Sequence, residues 1–331
     1  MEGGRVGLPP SGSASRPFLS GWEDMGADIT SPLSIRERWR NWSNQESVLG
    51  PALVAPAVLI LVTLIAYPFV VAIWLSLTDR VIARSETGNF IGLANFARLV
   101  NDSIFQRTTV NTFNYALVSV FFKLALGMVL ALILDEIRFL KNFFRGIVLL
   151  PWIVPTSLSA LVWLWMFDPQ YSVLNWILLH LGILHEKVIW LGTPATAMFS
   201  IQLVNIWRGI PFFAISLLAG MQSIPQELHE AAEIDGANYW RRFWNVTFPL
   251  LMPVTIVVTL FSTVQTFADF QIVYVLTRGG PINSTHLFAT LAYQTAILAG
   301  RLGEGAAVSL FMFPILVICV ILQLRYLQKQ E

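Results

Sequence analysis

Charge is what this chain has least of. Only 12% of its 331 residues are Asp, Glu, Lys or Arg, about half the roughly 25% of an ordinary soluble domain, whereas 55% are hydrophobic. Cys319 is the one cysteine, which excludes an intrachain disulfide and a thiolate metal cluster. No Gly-Lys pair occurs, so the chain lacks the phosphate-cradling loop that binds ATP in transport ATPases, and any nucleotide hydrolysis must belong to another subunit. His229-Glu230-Ala231-Ala232-Glu233 starts like a zinc-protease helix but has Glu where a second His is required. No apolar core follows the first basic residue, so no cleavable signal peptide is expected.

The apolar residues are clustered. About 20 of them span a bilayer core of roughly 30 Å as a helix, and six segments reach that length: 50–77, 108–134, 144–167, 197–219, 250–276 and 306–326. The expected fold is all-α and integral to a membrane, with six transmembrane helices. Pro56, Pro68, Pro151, Pro155, Pro211, Pro253 and Pro314 fall inside these segments; neighbouring helices can satisfy the freed backbone, so they predict kinks, above all in the third segment. Six crossings put both ends of the chain on one side. That side carries twelve Lys and Arg against seven on the other, so the positive-inside rule places both termini and the loop 223–248 in the cytoplasm.

Residues 1–49 read as a cytoplasmic tail and 50–331 as the membrane domain. Gly, Ser and Pro dominate up to Ser20. Leu33–Gln45 then mixes Leu33, Ile35, Trp39 and Trp42 with Arg36, Arg38 and Arg40, a pattern for either an interfacial amphipathic helix or a solvated basic linker.

The loop 223–248 has its own helical signals. Ser223 with Gln226 fits a capping box, Pro225 suits the first turn, and Glu227 and Glu230 sit near the positive end of the helix dipole. Leu228, Ala231, Ala232 and Asp235 share a face on which small alanines leave room for another surface. Gly236 fits a helix stop, after which a second helix leads into Pro249.

Glu230-Ala231-Ala232, three residues, Gly236, nine residues and Val246-Thr247-Phe248-Pro249 closely resemble the signature of permease subunits in binding-protein-dependent ABC importers. Val246 and Phe248 depart conservatively from the usual Ile-x-Leu-Pro ending. Ile224–Leu228, Pro151-Trp152-Ile153-Val154-Pro155 and Gly92-Leu93-Ala94-Asn95-Phe96 also agree. Thr277-Arg278-Gly279-Gly280-Pro281 resembles a segment of carbohydrate permeases of the maltose and glycerol-phosphate type, with Arg278 replacing a glycine.

The resemblance implies one half of the pore of an ATP-driven importer for a sugar or polyol, working by alternating access in a bacterial inner membrane. It also implies a second permease, two cytoplasmic ATPases that hold ATP and magnesium, and an extracytoplasmic solute-binding protein. No cofactor, metal or nucleic acid is expected on this chain itself, nor a catalytic residue. Glu230, Ala231, Ala232, Asp235, Gly236 and Arg241 would form the coupling elbow. A permease for a non-sugar solute and a scaffold without transport remain as alternatives.

Ionisable groups inside the bilayer each cost a few kcal/mol unless paired or wetted. Arg208 and Lys123 fall near the middle of their segments and Asp269 about a turn outward, with Asn205, Gln265 and Thr266 at similar depth. Asn205, Arg208, Gln265 and Asp269 fit a hydrated substrate pathway, helped by Trp207, Phe267 and Phe270, or equally polar glue between helices. Lys123 reads as glue, because its long stem can snorkel. Trp163 and Trp165 read as packing or interface anchors.

Overall fold

The computed structural model describes residues 46–83, 88–137 and 139–328; the tail, including Leu33–Gln45, lies outside them. Contacts divide the chain into Met1–Tyr67 and Pro68–Glu331. In the first unit, Glu46–Leu61 and a wider turn, Val62–Ala66, are helical, with every side chain from Leu49 to Tyr67 exposed. The first apolar segment is helical over Leu49–Ser76.

The second unit holds four further long apolar helices, Ser103–Glu136, Pro194–Gln222, Tyr239–Phe267 and Leu302–Tyr326, and one bent pair, Lys141–Ile153 and Thr156–Met166. Counting the pair as one, six spans are present among the described residues. The kink expected in the third span is a break of 87°. Pro155 has no N–H to continue the helix and holds the preceding residue extended, and Val154 has ψ 133°. Pro211 and Pro253 lie inside unbroken helices.

The second span shows what holds such a bundle together. Its buried positions, Thr108, Thr112, Tyr115, Ser119, Lys123, Gly127 and Ala131, repeat every three or four residues, while Val110, Leu117, Phe121 and Ile133 are exposed. Lipid is as apolar as leucine, so burial of leucine drives nothing there; close packing and interhelical hydrogen bonds do. Gly127 is the tightest point, since a Cβ on it would collide with Phe213 Cβ of the fourth span. Asp102 caps the span, accepting from Ile104 N at 2.6 Å.

Two expectations need correction. The second helix expected after Gly236 is present from Tyr239, where Asn238 accepts from Arg241 N at 2.9 Å, but it runs unbroken into the fifth span, which therefore starts eleven residues before the apolar run. It also breaks at Ala268 and resumes as Gln271–Leu276. Ser223, expected to cap the elbow helix, instead ends the fourth span, its hydroxyl donating to Gly220 O at 2.7 Å. Pro225 occupies the cap position, without a side-chain bond.

Asn95 of the Gly-Leu-x-Asn-Phe element is buried and donates to Ser76 O at 2.7 Å and Thr78 O at 2.8 Å. The motif thus ties the loop to the end of the first span. The Thr-Arg-Gly-Gly-Pro segment forms a turn in which Gly280 N donates to Thr277 O at 2.8 Å. Arg278 has φ +49°, the left-handed conformation that glycine adopts freely.

Candidate functional site

Asn205, Arg208, Gln265 and Asp269 all line one cavity of 690 Å³. The fourth span supplies the first two, one helical turn apart. Gln265 lies in the last turn of the fifth, and Asp269 stands in the break just beyond that helix. The restart as Gln271–Leu276 leaves its first N–H groups without intrahelical partners, and Asp269 takes one of them: its Oδ1 accepts from Ile272 N at 3.3 Å. Its Oδ2 accepts from Tyr115 Oη at 2.6 Å and from Asn205 Nδ2 at 2.9 Å. One carboxylate therefore joins the second span, the fourth span and the break in the fifth. Gln265 is exposed on the cavity wall.

Lys123 does not snorkel. It is 5% exposed, lines the cavity and donates to Thr266 Oγ1 at 3.0 Å. Its stem crosses Gly209, where a Cβ would lie 2.5 Å from Lys123 Cδ and Cε. Arg208 makes one long bond, to Trp152 O at 3.5 Å. Two of the expected aromatics stand elsewhere: Phe267 is buried edge-on to Phe113 at 5.5 Å, and Trp207 belongs to an apolar cleft with Trp163. Phe270 does line the cavity, joined by Trp152, Phe212 and Phe261, which sequence reasoning missed. Trp152 and Phe212 stack with centroids 5.9 Å apart; the signal available was Trp152 inside the Pro-Trp-Ile-Val-Pro motif. Trp163 is buried, and Trp165 is 65% exposed.

The elbow helix is Gln226–Ile234. Gly236 has φ +76° and completes a helix stop in which Ala237 N donates to Ala232 O at 2.9 Å and Gly236 N to Glu233 O at 3.0 Å. Glu230, Ala231 and Asp235 are exposed and Ala232 is half-buried. Ile234 is 87% and Trp240 68% exposed, an apolar surface without cover among the described residues. Arg241 is exposed. Arg242 was missed: its guanidinium pairs with Glu233 across the turn and lies 5.9 Å from the centre of the Tyr239 ring. Nothing in the sequence distinguishes Arg241 from Arg242 until the start of the fifth span is known. A second cavity of 210 Å³ lies beneath the elbow, lined by Asp135, Glu136, His229 and Arg242 among others.

Residues 123–330 match the family model for the binding-protein-dependent transport system inner membrane component. The chain is 38% identical to the trehalose/maltose transport system permease protein MalF of Thermococcus litoralis, over 91% of this chain and 98% of that protein. It is 34% identical to the sulfoquinovosyl glycerol transport system permease protein SmoG of Agrobacterium fabrum, over 89% and 95%. Identity to the sn-glycerol-3-phosphate transport system permease protein UgpA of the same organism is 31%, over 86% and 96%. Among solved structures, a chain of a bacterial ABC transporter involved in import of the acidic polysaccharide alginate shares the fold. The TM-score is 0.72 at 22% identity, over 88% of this chain and 98% of that one.

Proposed function

The chain belongs to the family of binding-protein-dependent transport system inner membrane components, and on that premise we propose that it forms one half of the pore of an ATP-driven importer for a sugar or related polyol. The observation that carries this is the convergence of Asn205, Arg208, Gln265 and Asp269 on one cavity beside an aromatic wall. Amides and charged groups match cargo hydroxyls, and Trp152, Phe212 and Phe261 offer flat apolar faces to a sugar ring. Relatives named for trehalose/maltose, sulfoquinovosyl glycerol and sn-glycerol-3-phosphate support a hydroxylated cargo.

The other half of the pore comes from a second permease. A pair of ATPases binds ATP and magnesium on the cytoplasmic side, and an extracytoplasmic binding protein delivers the cargo. Both termini and the elbow face the cytoplasm. The exposed Glu230, Ala231, Asp235 and Arg241, with Ala232 and Gly236, seat the elbow in the ATPase; closure of the ATPases pushes it, and the pore halves rock. The direction of that change comes from each partner binding one conformation better than the other.

The test is reconstitution of the four-component importer in vesicles. Uptake and binding-protein-stimulated ATP hydrolysis are expected, and Gln265→Phe should suppress uptake while the ATPase stays bound. A complex that binds the ATPases but moves no sugar or polyol would favour the scaffold instead.

A further inference from the structure

We propose that Lys123 and Arg208 form an oxyanion subsite in the cavity, which takes a carboxylate, phosphate or sulfonate carried by a hydroxylated cargo; this rests on the cavity being the transport route. Three ionisable side chains line the cavity: Lys123, Arg208 and Asp269. Asp269 is already engaged, its two oxygens accepting from Tyr115, Asn205 and Ile272 N. Neither cation lies within ion-pairing distance of a carboxylate among the described residues, whose two ion pairs are Arg242–Glu233 and Arg301–Glu304. The cavity thus has one more positive than negative group, and its negative group is held by neutral donors.

Donors also remain free. The Lys123 ammonium has three N–H groups and one bond, to Thr266. The Arg208 Nε is buried without a partner, and only one long bond reaches its terminal nitrogens. Keeping two cations within the spans is costly unless counter-charge or water compensates them, yet Gly209 leaves the Lys123 stem the room it needs. The terminal nitrogens of a guanidinium bind oxyanions through paired N–H bonds, which a neutral hydroxyl matches less well. The one negative charge by which the described cavity falls short of its two cations therefore arrives with the cargo, whose hydroxyls are left to Gln265 and whose ring meets the aromatic wall.

The test reads the sign of the cavity in the complete importer, with the second permease and ATPases present. A Gln265→Cys chain lacking Cys319 is treated in vesicles with anionic and cationic methanethiosulfonates of similar size. The anionic-to-cationic rate ratio is expected to exceed that of an exposed reference cysteine by about tenfold or more, as a cleft of one charge sign concentrates the opposite ion. Arg208→Gln and Lys123→Gln should each lower it. Glucuronate, sn-glycerol 3-phosphate and sulfoquinovosyl glycerol are then added as protectants, and the one that slows the anionic reagent most identifies carboxylate, phosphate or sulfonate; trehalose should not protect.

A ratio equal to the reference overturns the subsite, because a carboxylate of the second permease then cancels the charge. So does a raised ratio that neither substitution lowers, protection by trehalose equal to that by the anions, or no protection by any of the three. Failure of the transport-route reading looks different: the fully modified complex would import at the rate of the unmodified one, whatever the ratio.

Discussion

Replacing Asp269 by leucine removes the acceptor shared by two spans and the break of a third. Tyr115 is fully buried and Asn205 is 8% exposed, so both donors would be stranded. A buried donor left unsatisfied costs about 1–3 kcal/mol, and the two together cost about 2–6 kcal/mol, a large share of the 5–15 kcal/mol that holds a typical domain folded. Asp269→Asn keeps one acceptor oxygen and should cost less, as should Tyr115→Phe, which removes a donor and leaves the carboxylate its other bonds, a loss of about 1.5–3 kcal/mol. Gln265→Leu is the control, because the Gln265 side chain makes no hydrogen bond within the described residues.

The measurements are the thermal midpoint of the detergent-purified importer and uptake in vesicles. The midpoint should fall most for Asp269→Leu, less for Asp269→Asn and Tyr115→Phe, and not at all for Gln265→Leu, which should nonetheless lower uptake. If Asp269→Leu kept the wild-type midpoint, the carboxylate would be no clamp. If Asp269→Asn were as damaging as Asp269→Leu, charge and not acceptor geometry would be the cause.

At the elbow, Ala232→Trp and Gly236→Val should leave a folded chain that no longer retains the ATPase on co-purification; the first overfills a contact, commonly at 1–3 kcal/mol, and the second forces a β-branched residue to φ +76°. Arg241→Ala should weaken ATPase retention directly, whereas Arg242→Ala should raise protease sensitivity between residues 226 and 242 with little change in midpoint, since exposed ion pairs contribute about 0–1 kcal/mol. Gly209→Ala should lower uptake through Lys123, and a double-mutant cycle with Lys123→Ala should show coupling; additive effects would refute the contact. His286 lies outside the spans and is 2% exposed, and burial pulls its imidazole down to about 4. The fold holds it neutral, so its contribution is complete above about 6.5, the unfolded value, and is lost as pH falls towards 4. The thermal midpoint should drop across that window, and less so in His286→Gln.

Much of this was legible in the sequence because the bilayer imposes length and hydropathy directly. The six spans, the kink at Pro155 and the left-handed Gly236 follow from the chain alone. Asn205, Arg208, Gln265 and Asp269 were identifiable as costly polar groups, and their meeting needed only that the fourth and fifth spans pack together. Partnership was not legible: that Asp269 faces Tyr115, or that Lys123 lies over Gly209, depends on helix rotation, which an evenly apolar segment leaves unspecified. The helix after Gly236 was legible, but its continuity with the fifth span was not, because its first turn, Tyr239 to Arg242, is polar and aromatic and carries no mark of a membrane segment.

The broken third span gives its two halves separate attachments. Lys141–Ile153 packs on the fourth span, and Thr156–Met166 packs on Gln271–Leu276, the short helix beyond the break in the fifth. Trp152 and Thr156, on either side of the bend, both line the cavity. Two interruptions, one in each of two spans, thus flank the same space, and the segments beyond them pack on each other. On the proposed transport role, such a molecule would work less like a tube than like a jointed door, with the polar groups of the cavity set along its hinge line.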